Sequence, residues 1–209
     1  MCAKKRIALY GGTFDPVHIG HLEIARRVSE VFEIEKVVFI PAQMAPHKIG
    51  RPVTEPIHRY AMLALATQDD PRLLISTFEL DAPDRRYTVD TVEHFQRELA
   101  GSSELFFIMG ADSWSEITTW REWERLLTMT NHIVVTRPGF KSSSAQAGAH
   151  VDRVVFTDVV MNDVSATTIR RLASEGRMDE LVDLVPGPVL EYIKKYGIYR
   201  ELNEAKLNS

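Results

Sequence analysis

The sequence predicts an open α/β fold: a parallel sheet with helices on both of its faces. Three observations carry that expectation. Strand-like and helix-like segments alternate about five times along the chain, the strand segments are unbroken apolar runs, and glycine or proline punctuates the turns between them. An unbroken apolar run implies a strand covered on both sides.

The elements follow in order. Arg6 to Tyr10 is a buried strand closed by Gly11 and Gly12, and Ile19 to Phe32 carries apolar residues at helical spacing. Lys36 to Ile40 is the next strand, ended by Pro41. Loop signals fill Pro41 to Pro52, and Thr54-Glu55-Pro56 opens a second helix with proline in its first turn. Leu73 to Thr77 reads as a strand, Thr88 to Leu99 as a helix, and Glu104 to Met109 as a strand ending at Gly110. A tryptophan-rich helical stretch, Ser115 to Leu127, leads to the strand His132 to Thr136. Lys141 to Gly148 is polar and small, a surface loop. Val154 to Phe156 is a last short strand, and Ser165 to Ala173 and Val189 to Tyr196 are helices. Residues 1–209 are expected to form one domain, whose C-terminal part, about 160–205, is helical.

Composition narrows the function. The chain has 209 residues, 44% of them hydrophobic, enough for a core that buries about 70% of the unfolded surface without metal or disulfide support. One cysteine, Cys2, gives neither a disulfide framework nor a cysteine-rich zinc site. No apolar run is long enough to cross a membrane, and none resembles a secretion signal, so a cytoplasmic protein is expected. Lys plus Arg is 25 against 29 for Asp plus Glu, a net charge of -4 that argues against a nucleic-acid or anionic-membrane partner. A local basic pocket for a small anion remains open.

The first turn holds the densest chemistry. It runs Gly11-Gly12-Thr13-Phe14-Asp15-Pro16-Val17-His18-Ile19-Gly20-His21. The glycines let backbone approach a ligand, and the helix beginning near His18 directs unpaired N–H groups and the positive end of its dipole at whatever sits there. An anion suits that environment. His18 and His21, three apart, share a face and can both donate to phosphate oxygens, while Gly20 keeps a side chain from crowding them. A lone histidine in such a turn is more often packed in the core. The pair among glycines is harder to explain that way, and the turn matches neither the P-loop nor the GxGxxG pattern.

GGTFDPVHIGHL resembles the HxGH signature of the nucleotidyltransferase superfamily, in the form typical of bacterial nicotinate mononucleotide adenylyltransferases. Val164-Ser165-Ala166-Thr167-Thr168-Ile169-Arg170 is similar to the second superfamily signature, ISSTxIR, with valine for isoleucine and alanine for the second serine. The two lie in the expected order, about 145 residues apart. Pro46-His47-Lys48, His58 to Met62, Tyr87 to Thr91, Gly110 to Ser113, Thr119-Trp120, Arg137-Pro138-Gly139 and the C-terminal Val185-Pro186 and Tyr192 to Tyr199 extend the likeness over nearly the whole chain. The resemblance implies a Rossmann-like sheet of the nucleotidyltransferase type. It also implies transfer of AMP from ATP to nicotinate mononucleotide, releasing pyrophosphate, with magnesium (Mg2+).

Under that resemblance Gly11, Gly12, Thr13, Phe14, His18, Gly20, His21, Gly110, Asp112, Ser165, Thr167 and Arg170 form the ATP site, with Ser165, Thr167 and Arg170 toward the β and γ phosphates. Lys48 is the cation bridging both substrates, and with His18, His21 and Arg170 makes the catalytic set. Trp120 stacks on the pyridine, Tyr87, Thr88 and Asp112 add polar contacts, and Arg137 meets the acceptor phosphate. An acceptor phosphate is ionised at pH 7, so alignment and charge neutralisation are needed rather than a base. No protein metal site is expected, because magnesium prefers the triphosphate and water. Arg121 stands where relatives often carry an aromatic residue; turned inward, it would pair with the nicotinate carboxylate.

Other readings are a pantetheine-phosphate adenylyltransferase-like enzyme or a non-catalytic nucleotide-binding regulator. The middle segments from Tyr87 to Trp120 argue against the first, and the full set of phosphate donors against the second. The chain alone leaves monomer or homo-oligomer open.

Overall fold

The computed structural model describes residues 4–43, 53–82, 84, 86–136, 152–158 and 164–200. Its centre is one six-stranded sheet in the order β3-β2-β1-β4-β5-β6. The strands are β1 (Lys5–Gly12), β2 (Lys36–Pro41), β3 (Leu73–Ile75), β4 (Ser103–Gly110), β5 (Asn131–Val135) and β6 (Val154–Thr157), all paired in parallel. The helices are α1 (Ile19–Val31), α2 (Pro56–Thr67), α3 (Thr88–Leu99), α4 (Ala111–Ser115), α5 (Trp123–Met129), α6 (Ala166–Ser174) and α7 (Gly187–Tyr196). The expected open parallel α/β architecture is therefore present.

Side chains alternate across β1 and split the core in two. Ala8 and Tyr10 point to a face covered by α1, α2, α6 and α7, where Leu22, Ala25, Met62, Ile169 and Ile193 are buried. Leu9 points to the other face, with Val92 of α3, Trp114 of α4 and Leu126 and Leu127 of α5. The central strands β1, β2, β4 and β5 thus bury both of their sides, which is why their apolar runs show no period of two, while the edge strands β3 and β6 expose Leu74 and Val155.

Two expectations need correction. The stretch Ser115 to Leu127 is not one helix: α4 stops at Ser115, a 3₁₀ turn covers Ile117–Thr119, and Glu122 enters α5 in a left-handed conformation, φ +50°. Trp120 between them is extended, so the apolar spacing there reflects three short pieces docked on one sheet face. The third strand is also shorter than expected, ending at Ile75. The Lys141 to Gly148 segment lies outside the described residues.

The chain runs outward from β1 in both directions along the sheet, through β2 and β3 on one side and β4, β5 and β6 on the other. The order reverses between β1 and β4. Those two strands end at Gly12 and Gly110, at the crevice where open α/β sheets bind ligands. No helix among the described residues is long and apolar enough to cross a membrane.

Candidate active site

The glycine elbow is shaped by close contacts. A Cβ on Gly12 would lie 2.8 Å from Cζ of Phe14, and one on Gly11 would lie 3.1 Å from Cζ of Phe107. Phe14 holds φ +49°, a strained region for a bulky residue. Its ring is buried, edge-on to His21 with centroids 5.0 Å apart. Phe14 thus supports the histidine from behind.

His18 and His21 are brought together as expected. Their rings stack with centroids 3.7 Å apart, and the His18 backbone N–H donates to His21 Nδ1 at 3.2 Å. That bond decides the tautomer: a neutral His21 carries its proton on Nε2 and offers it as a donor. Burial holds His18 down to about 4, and burial together with the neighbouring His18 holds His21 well below the usual range. Both imidazoles are neutral at pH 7. The Nδ1 atom of His18 is buried without a protein partner among the described residues.

Gly20 is constrained by His18. A Cβ there would lie 3.2 Å from His18 Nδ1 and 3.3 Å from its Cε1. The missing side chain makes room for the imidazole itself.

The second motif arrives from the far end of the chain. Arg170 Nη1 donates to the Asp15 carbonyl at 2.7 Å, and its Nη2 donates to Thr167 Oγ1 at 3.3 Å. Ser165 caps α6, its Oγ accepting the Thr168 N–H at 3.2 Å. A Cβ on Gly20 would also come within 4.0 Å of Val164, so the amino end of α6 faces that of α1. Two helix amino termini, two imidazoles and a guanidinium therefore border one elbow. Donors dominate there, which suits phosphate oxygens.

Three residues behind the elbow lie in segments that the resemblance covers, but the sequence assigns them no role. Arg59 is fully buried and gives its guanidinium to three carbonyls: Thr54 at 2.9 Å, Thr13 at 2.9 Å and Gln43 at 3.2 Å. Asp15 accepts from the Thr54 N–H at 3.2 Å and from Tyr199 Oη at 2.7 Å. Burial beside that carboxylate pushes the Tyr199 phenol far up, so it stays a donor. An arginine opening an apolar helix was the available signal for Arg59. The Asp15–Tyr199 pair spans 184 residues and left none.

Across the sheet, on the α3 side, lie the other predicted residues. Tyr87 caps α3, its N–H donating to Asp90 Oδ2 at 3.1 Å, and Thr88 is the first residue of the helix. Trp120 sits edge-on to Phe107 with centroids 6.4 Å apart, half-buried, and its indole N–H has no partner among the described residues. Gly110 and Asp112 lie at the start of α4, both exposed. Phe107 also backs Gly11, so it connects the tryptophan to the elbow. Arg121 does not turn inward: its guanidinium lies over the Tyr87 ring, 4.8 Å from the centroid. Lys48 and Arg137 lie outside the described residues.

Fold and site together define an open parallel α/β protein whose donor-lined glycine elbow sits at the sheet's topological switch point. Residues 9–172 match the family model described as Cytidylyltransferase-like. A probable nicotinate-nucleotide adenylyltransferase of Thermoanaerobacter sp. is 38% identical over 95% of this chain and 96% of its own. Another, of Thermus thermophilus, is 42% identical over 93% of this chain and 100% of its own. The chain belongs to the nicotinate-nucleotide adenylyltransferase family, within the cytidylyltransferase-like proteins. The Plasmodium falciparum nicotinic acid mononucleotide adenylyltransferase complexed with NaAD shares the fold, with a TM-score of 0.78 at 19% identity over 93% of this chain and 97% of that one.

Proposed function

We propose that the protein transfers the adenylyl group of ATP to nicotinate mononucleotide, giving nicotinate adenine dinucleotide and pyrophosphate. One observation carries this reading beyond family membership: the amino ends of α1 and α6, His18, His21 and Arg170 border a single elbow at the sheet's switch point. An oxygen of the mononucleotide phosphate attacks the α-phosphorus of ATP. The bond to the bridging oxygen breaks opposite it, and pyrophosphate leaves with that electron pair. No base is required, because the acceptor is already ionised.

The donors act on the charge that develops. Neutral imidazoles cannot serve as acids at pH 7, so His18 and His21 contribute as oriented N–H groups, with Arg170 adding full positive charge. Ser165 shapes the α6 amino end as its cap, and Thr167 fixes the guanidinium. Lys48 is assigned to bridge the two substrates and Arg137 to meet the acceptor phosphate, both on the strength of the family resemblance. Magnesium enters as the counter-ion of ATP, since the elbow offers donors rather than cation ligands. The acceptor's pyridine is assigned to Trp120, with Tyr87, Thr88 and Asp112 around it. A cytoplasmic location belongs to the same proposal.

The test is pyrophosphate release from Mg-ATP with nicotinate mononucleotide, its amide, or phosphopantetheine as acceptor. Turnover with the first and little with the third is expected. Turnover with phosphopantetheine alone would overturn the reading.

A further inference from the structure

The two elements assigned to the pyridine nucleotide are joined by one side chain. Arg121 follows Trp120 directly and lays its guanidinium on Tyr87, the cap of α3. Its charge is poorly neutralised. Glu122 Oε1 is 3.6 Å from Arg121 Nε, whereas Glu122 Oε2 is held by Arg125 Nη1 at 2.9 Å. Arg125 binds Glu93 Oε1 as well, at 3.2 Å, so Glu122 is the carboxylate that two arginines share. The Arg121 side chain is 56% exposed, and a solvated guanidinium on a tyrosine ring is held only weakly. An exposed cation, whose one carboxylate partner among the described residues is shared with Arg125, therefore directly follows the tryptophan assigned to the pyridine.

We propose that Arg121 is a specificity-determining residue, favouring a pyridine that bears a carboxylate over one that bears a carboxamide. The proposal rests on the function inferred above and assigns a selectivity within the same site. The tyrosine ring parks the guanidinium at the mouth of the subsite, where it raises the affinity for an anionic ring substituent and does nothing for a neutral one. Arginine suits the position because it stacks flat on an aromatic face while its N–H edge stays free to meet a carboxylate. Lysine would keep the charge and lose the planar stack.

The experiment measures kcat/KM for nicotinate mononucleotide and for its amide at saturating Mg-ATP, in the wild type, Arg121→Gln and Arg121→Lys. Arg121→Gln is expected to lower the acid-to-amide ratio roughly five- to tenfold, mostly through KM for the acid, the scale of one partly solvated charge pair. Arg121→Lys retains part of the ratio. Raising salt from low to about 0.5 M should lower the wild-type ratio and leave that of Arg121→Gln flat. An unchanged ratio in Arg121→Gln, or equal loss with both acceptors, would overturn the proposal while leaving the underlying function intact. A wild type inactive with both mononucleotides would instead overturn the function, and this assignment with it.

Discussion

Arg170 donates to the backbone carbonyl of Asp15 across 155 residues of sequence, at 2.7 Å. The contact fastens the amino end of α6 to the elbow after β1. It also holds the guanidinium at the edge of the proposed phosphate site, with Thr167 Oγ1 accepting from the second nitrogen. Arg170→Ala removes both a donor and a tether. Turnover is expected to fall at least about 100-fold, the cost of removing one preorganised donor to developing charge. Arg170→Lys keeps the charge without the fork, and recovery to wild-type turnover in that variant would show that fixed geometry is unimportant.

Gly20 separates stability from activity. It sits in the first turn of α1, where alanine is the better helix former by about 1 kcal/mol, yet a Cβ would press on His18 at 3.2 Å. Gly20→Ala should therefore melt within a few degrees of the wild type while its turnover drops by roughly tenfold or more. His21→Ala, losing the Nε2 donor outright, should fall by about 100-fold. Thermal melts beside pyrophosphate assays decide the matter, and a Gly20→Ala enzyme of full activity would show that the His18 position is unimportant.

These two sites also mark how far the sequence could be read. The elbow was legible because its constraints are local: paired glycines, histidines three apart, and a strand feeding a helix all leave their mark within a dozen residues. Its backing was not. Arg59, Asp15 and Tyr199 act through carbonyls and a carboxylate brought together by tertiary folding, and no short spacing encodes that. The Ser115 to Leu127 stretch misled for a related reason, since Glu122 adopts a left-handed conformation without the glycine that normally announces one. Arg121 was visible as an oddity beside Trp120, but only the structure shows Tyr87 beneath it.

Arg59 supports the elbow from the core. Its three carbonyl partners belong to Thr13, Gln43 and Thr54, so one buried cation sets the distance between the first turn and the entry to α2. Arg59→Met fills most of the volume but strands three buried acceptors. A loss of about 3 kcal/mol or more is expected, lowering the melting temperature by roughly 6–12 °C. Chemical denaturation would check it, and a loss below about 1 kcal/mol would mean that water replaces the guanidinium at no cost.

The buried histidines set the acid side of the stability profile. His18 and His132 are each held down to about 4 by burial, and His132 donates Nε2–H to the Leu126 carbonyl at 3.2 Å. In the unfolded chain they take up protons below about 6.5. Between those values the unfolded state binds more protons, so stability falls as pH drops from about 6.5 to about 4. Up to about 3 kcal/mol per histidine is at stake over that window. Urea midpoints measured at half-unit pH steps should trace the decline, and a flat profile there would refute it.

Glu79 works in the opposite direction, which makes it separable. Its carboxyl accepts from Thr91 Oγ1 at 2.7 Å, and burial pushes it up to about 7, with the nearby Asp90 adding to the rise. Here the folded state binds the extra proton between about 4.5 and about 7, so the stabilisation it brings is complete at acid pH and is lost as pH rises through 7. Glu79→Gln keeps an oxygen for the Thr91 hydroxyl and removes the ionisation. It should be more stable than the wild type at pH 8.5, by about 1–2 kcal/mol after allowance for partial exposure, and the difference should close by pH 5. Because Asp90 also caps the Tyr87 N–H at the start of α3, relief of the repulsion should lower the KM for the mononucleotide at alkaline pH as well. Equal stability of the two proteins at pH 8.5 would show that the carboxylate ionises there at no cost.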